Sequence, residues 1–186
     1  MKKVLFVLIT VVFLGGCKSD RAQMEQALAF RNAVLGADEC KFSAVVTTDY
    51  GDSIYTFGMD CISKKEGTLH ITITEPETIA GITCSVEGET GKLLFDDKVL
   101  MFETMTDGQI TPVISPWLFM KAIRSGYIAY CGTKEKTVEL RIDDTFSDTS
   151  FCTEVYFNEN KMPVFAEILW QGRRIVSIQI SNFSIQ

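Results

Sequence analysis

The sequence predicts an α+β domain of about ten antiparallel strands and two main helices. Three observations lead there. From residue 40 onward apolar and polar residues alternate with period two through most of the chain. Two segments, 18–36 and 115–126, break that alternation with helical start and stop signals. No repeat, linker or low-complexity tract divides the pattern, and 186 residues that are 46% hydrophobic suit one packed core.

The first sixteen residues belong to export rather than to the fold. Lys2 and Lys3 precede an apolar run from Val4 to Leu14, which small residues close at Gly15-Gly16. That run is too short for a membrane span of roughly 20 residues and reads as a signal peptide. Leu14-Gly15-Gly16-Cys17 resembles the bacterial lipobox. The resemblance implies cleavage after Gly16, a diacylglyceryl thioether on Cys17, and residues 17–186 as a single domain tethered to a membrane. At about 0.8 kcal/mol per buried methylene, two or three acyl chains make a lasting anchor. The expected location is extracytoplasmic, on the outer face of the cell membrane or on an outer membrane.

Ser19 or Asp20 can cap the first helix, Met24, Ala27, Leu28, Ala33 and Val34 give it an apolar face, and Gly36 ends it. Cys40, Phe42, Ala44 and Val46 then alternate with polar neighbours, as do Tyr55, Phe57, Met59 and Cys61. The turn Asp49-Tyr50-Gly51-Asp52 joins them into a hairpin. Centred on Tyr50-Gly51, the hairpin sets Phe42 beside Met59 and Cys40 beside Cys61, close enough for a disulfide or for two packed thiols. Five cysteines follow Cys17, so at least one stays unpaired within the chain.

Leu69, Ile71 and Ile73 form the inward face of a third strand, with His70 on its polar face and Pro76 after its end. Ile82, Cys84 and Val86 mark a fourth. Lys92–Phe95 and Val99–Glu103 flank Asp96-Asp97-Lys98, and Val99-Leu100-Met101-Phe102 is apolar on both faces, which predicts cover on both sides. Ser115-Pro116-Trp117 opens the central helix with a capping serine, Leu118, Phe119, Ala122 and Ile123 form its stripe, and Gly126 closes it. Strands follow at Tyr127–Cys131, Thr137–Asp143, Phe151–Phe157, Val164–Trp170 and Ile175–Phe183. For the last hairpin, a three-residue turn Gln171-Gly172-Arg173 sets Ile168 by Val176 and Ala166 by Ile178. A one-residue slip would reverse those faces.

Gly67-Thr68-Leu69-His70-Ile71-Thr72-Ile73-Thr74-Glu75-Pro76, the stretch Gly91–Phe102, Ser115-Pro116-Trp117-Leu118-Phe119 and the closing Arg173-Arg174-Ile175…Ile180-Ser181-Asn182-Phe183 together resemble the lipoprotein-carrier superfamily, the LolA/LolB-like proteins. The resemblance implies a strongly curved antiparallel sheet, an incomplete barrel, with an N-terminal helix and a central helix plugging its mouth. It also implies an apolar cavity suited to acyl chains. Phe42, Phe57, Ile71, Ile73 and Met101 are the candidate lining residues, with Trp117, Phe119 and Met120 at the mouth. The same rings could equally fill a solid core, leaving a surface that docks a partner.

Chemistry other than binding finds little support. The sequence has no nucleophile elbow, metalloprotease helix, phosphate loop or dinucleotide fingerprint. His70 has no local nucleophile or orienting group, and no cysteine pair has zinc-ligand spacing. No catalytic residue, metal site or cofactor is expected. Removing Lys2 and Lys3 with the signal leaves 16 basic against 24 acidic residues, a net charge of −8. Such a surface argues against nucleic acid as a partner and against electrostatic docking on anionic lipid.

Overall fold

A computed structural model describes residues 18–88, 90–95, 98–103, 105–106, 109–134, 137–145 and 151–186. The expected signal peptide, Cys17 and the expected turn at Asp96-Asp97 lie outside the described residues. The described residues open with helix α1 (Lys18–Gly36) and a six-strand meander: β1 (Glu39–Asp49), β2 (Ile54–Lys64), β3 (Leu69–Glu75), β4 (Thr83–Glu87), β5 (Thr90–Phe95) and β6 (Lys98–Glu103). A small hairpin, β7 (Met105–Thr106) and β8 (Gln109–Ile110), leads into helix α2 (Ser115–Ser125). A second meander completes the chain: β9 (Tyr127–Lys134), β10 (Thr137–Asp143), β11 (Phe151–Phe157), β12 (Pro163–Trp170) and β13 (Arg173–Ile185).

Among the described residues eleven strands form one open sheet, ordered β6-β5-β4-β3-β2-β1-β13-β12-β11-β10-β9. All its pairings are antiparallel, and β1 and β13 join the two meanders at its centre. The sheet must bend. Helix α2 packs on β2 and on β10, which lie five strand steps apart. Laid flat, those steps would span about 24 Å, whereas eleven helical residues are only about 16 Å long. This is the incomplete-barrel α+β architecture, with α2 as its plug and α1 along the β9 edge.

Helix α2 enters directly from a 3-10 turn (Pro112–Ile114), so Ser115 lies inside the helix instead of capping it. Its Oγ is buried without a partner, because the continuous helical turn already uses the position the cap would occupy. The helix ends where Gly126 N–H donates to the Ala122 carbonyl at 2.9 Å. A Cβ at Gly126 would stand 2.3 Å from the Ile142 side chain, so glycine lets the helix end close against β10. On α1 the face turned to the sheet is Ala27, Phe30 and Val34. Leu28 and Ala33, expected on that face, are exposed. The stripe lies on the side that meets β9, which sequence periodicity alone leaves ambiguous.

Two hairpins refine their expected registers. In the first, Asp49 pairs with Ile54 across a loop of residues 50–53, so Phe42 faces Cys61 and Cys40 faces Ser63. The register is displaced by two residues from one centred on Tyr50-Gly51. Gly51 takes a left-handed φ of 91° and donates its N–H to Asp49 Oδ1 at 2.7 Å, and this local turn lengthens the loop. In the last hairpin Ile168 pairs with Val176 and Ala166 with Ile178, as the apolar pattern requires. The turn is nevertheless only two residues, Gln171 and Gly172, both left-handed, and Trp170 pairs with Arg173. A bulge that leaves Ile175 unmatched recovers the apolar register.

Candidate functional site

One row of directly paired residues crosses six strands: Phe42, Cys61, Ile71, Cys84, Leu93 and Leu100. Opposed residues in antiparallel strands point to the same side, so the whole row belongs to the concave face. From Phe42 to Cys84 it is buried, Leu93 is half-buried, and Leu100 is 63% exposed. The apolar face therefore continues past the helix that covers it. On the opposite side of the same hairpin Leu94, Val99 and Met101 are also exposed. Among the described residues the expected cover on both faces of β6 is absent, because β6 is the sheet's edge and α2 lies over the middle strands. An edge strand carrying apolar residues on both faces is an unusual exposure for a free surface.

The middle of the concave face is packed. Phe42 meets Phe119 edge to face at 5.9 Å and stacks on Phe183 at 5.4 Å. Phe183 contacts Phe30, and Phe30 meets Phe157 edge to face at 5.1 Å. Phe42, Ile71, Ile73 and Phe119 accordingly sit within closely packed core rather than on a free wall. Phe57 is half-buried against that core. Met101, taken from the sequence as a lining residue, points to the convex side with 56% exposure. It is offset by one residue from Leu100, and the strand pleat sends it outward.

Trp117 and Met120 border a pocket of about 220 Å³ together with Ser63, Gly67, Glu87 and Lys121. The Trp117 indole N–H donates to the Gly67 carbonyl at 3.2 Å, and the Lys121 ammonium lies 5.5 Å from its ring centre. Arg124 Nη1 donates to the Lys65 carbonyl at 2.8 Å, so the end of α2 is tied to the β2–β3 turn. Gly67 and Lys65 both belong to that turn, which thus holds both ends of the helix beside the pocket. Its volume is below the range of a drug-sized ligand site and suits a chain end or small head group.

Cys40 and Cys61, expected side by side, lie on a diagonal of the first hairpin. Diagonal neighbours stand about 7–8 Å apart, beyond disulfide reach. Both are free thiols, as are Cys84 and Cys152, and these four and Cys131 are all buried. Burial pushes the Cys84 thiol up to about 11 and the Cys152 thiol up to about 12, and it raises Cys40 and Cys61 as well. Protonated, inaccessible thiols are poor nucleophiles and poor metal ligands. They serve here as small apolar packing groups. His70 projects from the polar, solvent-facing side of β3.

The sequence singled out the mouth of the plugging helix but missed Leu93, Leu94, Val99 and Leu100. The signal for them is the run Val99–Phe102, whose apolar residues on both faces predict cover from the sequence alone. Among the described residues no helix is long and apolar enough to cross a membrane.

No family model matches the chain, and no curated protein matches it by sequence. Solved structures are similar to it over nearly its whole length. One is a putative outer membrane lipoprotein-sorting protein domain from Vibrio parahaemolyticus, 10% identical, with 90% of this chain and 94% of that chain covered and a TM-score of 0.48. Another is a LolA superfamily protein from Nitrosomonas europaea, 12% identical, with coverage of 90% and 94% and a TM-score of 0.44. A third is the Clostridioides difficile complex of the CwlD amidase with the GerS lipoprotein, 14% identical, with coverage of 88% and 96% and a TM-score of 0.43.

Proposed function

We propose that this chain is a non-catalytic lipoprotein of the cell envelope, held at a membrane by acyl chains on Cys17, that binds an apolar ligand such as a lipid acyl chain. The ligand lies along the concave face where β5 and β6 extend beyond α2, with its end at the Trp117 pocket. The supporting observation is the row from Phe42 to Leu100, which leaves the packed core and becomes solvent-exposed without a change of apolar character. The binding surface is thus an open apolar shelf beside a filled interior. A role in lipid or lipoprotein traffic would use such a shelf, because a loosely held chain can leave again.

Titration of the mature protein with a dansylated fatty acid tests the shelf. Saturable binding is expected, with competition by unlabelled fatty acid or phospholipid. Leu100→Glu should weaken it about tenfold or more, since burying one leucine contributes about 1.5–3 kcal/mol. Val99→Glu, on the convex side of the same strand, should leave it unchanged. Anchoring is tested separately by metabolic labelling with a fatty-acid analogue, and label persisting on Cys17→Ser would refute the lipobox reading.

A second reading is favoured by the exposure of Leu94, Val99 and Met101 on the convex side, which a ligand in the concave face does not cover. The hairpin would then be gripped on both faces by a protein partner. Absence of saturable probe binding would leave this interaction module as the reading of the site.

A further inference from the structure

The pocket beside Trp117 has a chemical feature that an acyl chain alone does not explain. Trp117, Met120, Lys121 and Arg124 follow one another at helical spacing, so a single face of α2 lines it. That face is apolar toward the start of the helix and cationic toward its end. Glu66 and Glu87 border the pocket as well, and both are exposed. Lys121 is already paired with Asp144 at 3.3 Å.

Arg124 is not satisfied in the same way. Its Nη1 donates to the Lys65 carbonyl at 2.8 Å, but Nε and Nη2 are buried with no hydrogen-bond partner among the described residues. The Cys40 thiol is near enough to feel the guanidinium charge, yet a thiol sulfur is only a weak acceptor. Buried polar groups are nearly always bonded, and a permanently charged group left without acceptors is costly. Nε–H and the neighbouring Nη2–H form a planar fork of two donors. Such a fork matches the two oxygens of a carboxylate or a phosphate.

We infer that the Trp117 pocket receives the anionic head of an acyl ligand, a carboxylate or a phosphate, and that Arg124 selects it; this rests on the shelf reading above. The guanidinium keeps its Lys65 bond as a hinge and turns its fork onto two ligand oxygens, while Lys121 adds charge beside them. Trp117 and Met120 pack against the first methylenes. The rest of the chain follows the concave row toward Leu93 and Leu100. Water screens the exposed glutamates but not the buried fork, so the fork decides which sign of head group enters.

Displacement of N-phenylnaphthylamine, a neutral apolar probe, from the mature protein tests the inference. The competitors are oleic acid, oleyl alcohol and dioleoyl phosphatidic acid. Oleic acid should compete about tenfold or more better than the alcohol, which forgoes the charge-assisted bonds. Arg124→Gln can still donate to the Lys65 carbonyl, and it should bring oleic acid down to the alcohol's affinity without changing the alcohol's. Arg124→Lys keeps the charge without the fork and should fall between; it answers the same question if the glutamine variant does not fold. Leu100→Glu, by contrast, should weaken acid and alcohol alike. Either order of oleic and phosphatidic acid above the alcohol supports the inference and names the head group. Equal competition by acid and alcohol, or an acid preference that Arg124→Gln leaves intact, overturns the inference and leaves the shelf standing. No saturable probe binding overturns the shelf reading and this inference together.

Discussion

Phe42 on β1 and Phe119 on α2 meet edge to face, with ring centroids 5.9 Å apart and planes inclined at 76°. Both rings are almost wholly buried, and Phe42 also stacks on Phe183 of β13. Helix α2 is thereby locked to the two central strands of the sheet. Phe119→Ala should destabilise the domain by about 3–5 kcal/mol, read from urea unfolding followed by circular dichroism. A change below 1 kcal/mol would mean that the plug is not part of the cooperative core.

The five thiols give a sharp chemical readout. In native protein none should react with Ellman's reagent on the timescale of minutes, and all should react after denaturation. Non-reducing peptide mapping should find Cys40 and Cys61 unlinked. A Cys40–Cys61 disulfide would require the first hairpin to slip two residues from its observed register.

Glu39 accepts from Lys41 at 2.6 Å and from Lys64 at 2.5 Å, and these hydrogen bonds hold its carboxyl down to about 2, below the usual carboxylate range. Because the folded-state value lies below the unfolded one, the pairs stabilise the fold fully above about pH 4.5. That contribution is lost as pH falls from there toward 2. Glu39→Gln should flatten the acid limb of a thermal-melt series between these values and leave the neutral limb's slope unchanged. Identical acid limbs for both proteins would show that the pairs carry no pH-linked stability.

Gly126→Ala tests the close approach of α2 to β10. The added methyl meets the Ile142 side chain and the Ala122 carbonyl, so about 1–3 kcal/mol of destabilisation is expected in the same urea assay. Ile142→Val in the same chain should recover part of the loss by freeing space. Gly88→Ala is a poor control because its left-handed φ carries its own strain, whereas Gly36, with no atom near its would-be Cβ and no such φ, is a fair one.

Period-two alternation determined most of the strands and which residues face inward, because the pleat ties facing to sequence parity. The two helices were equally legible, and the break at Gly126 was placed by the chain itself. Parity cannot decide a slip of two residues. Phe42 against Met59 and Phe42 against Cys61 bury the same faces, and only the turn closed by Asp49 and Ile54 selects the second. In the last hairpin the apolar pattern chose the pairing of Ile168 with Val176, while the bulge at Ile175 that permits it belongs to the local backbone. Exposure was beyond the sequence altogether. Val99 to Phe102 has the composition of a covered strand, yet burial depends on which strands α2 can reach, and a short helix over the middle of a curved sheet does not reach its edge. Leu14-Gly15-Gly16-Cys17 is the opposite case, since its resemblance to a lipobox lies in consecutive residues and owes nothing to tertiary structure.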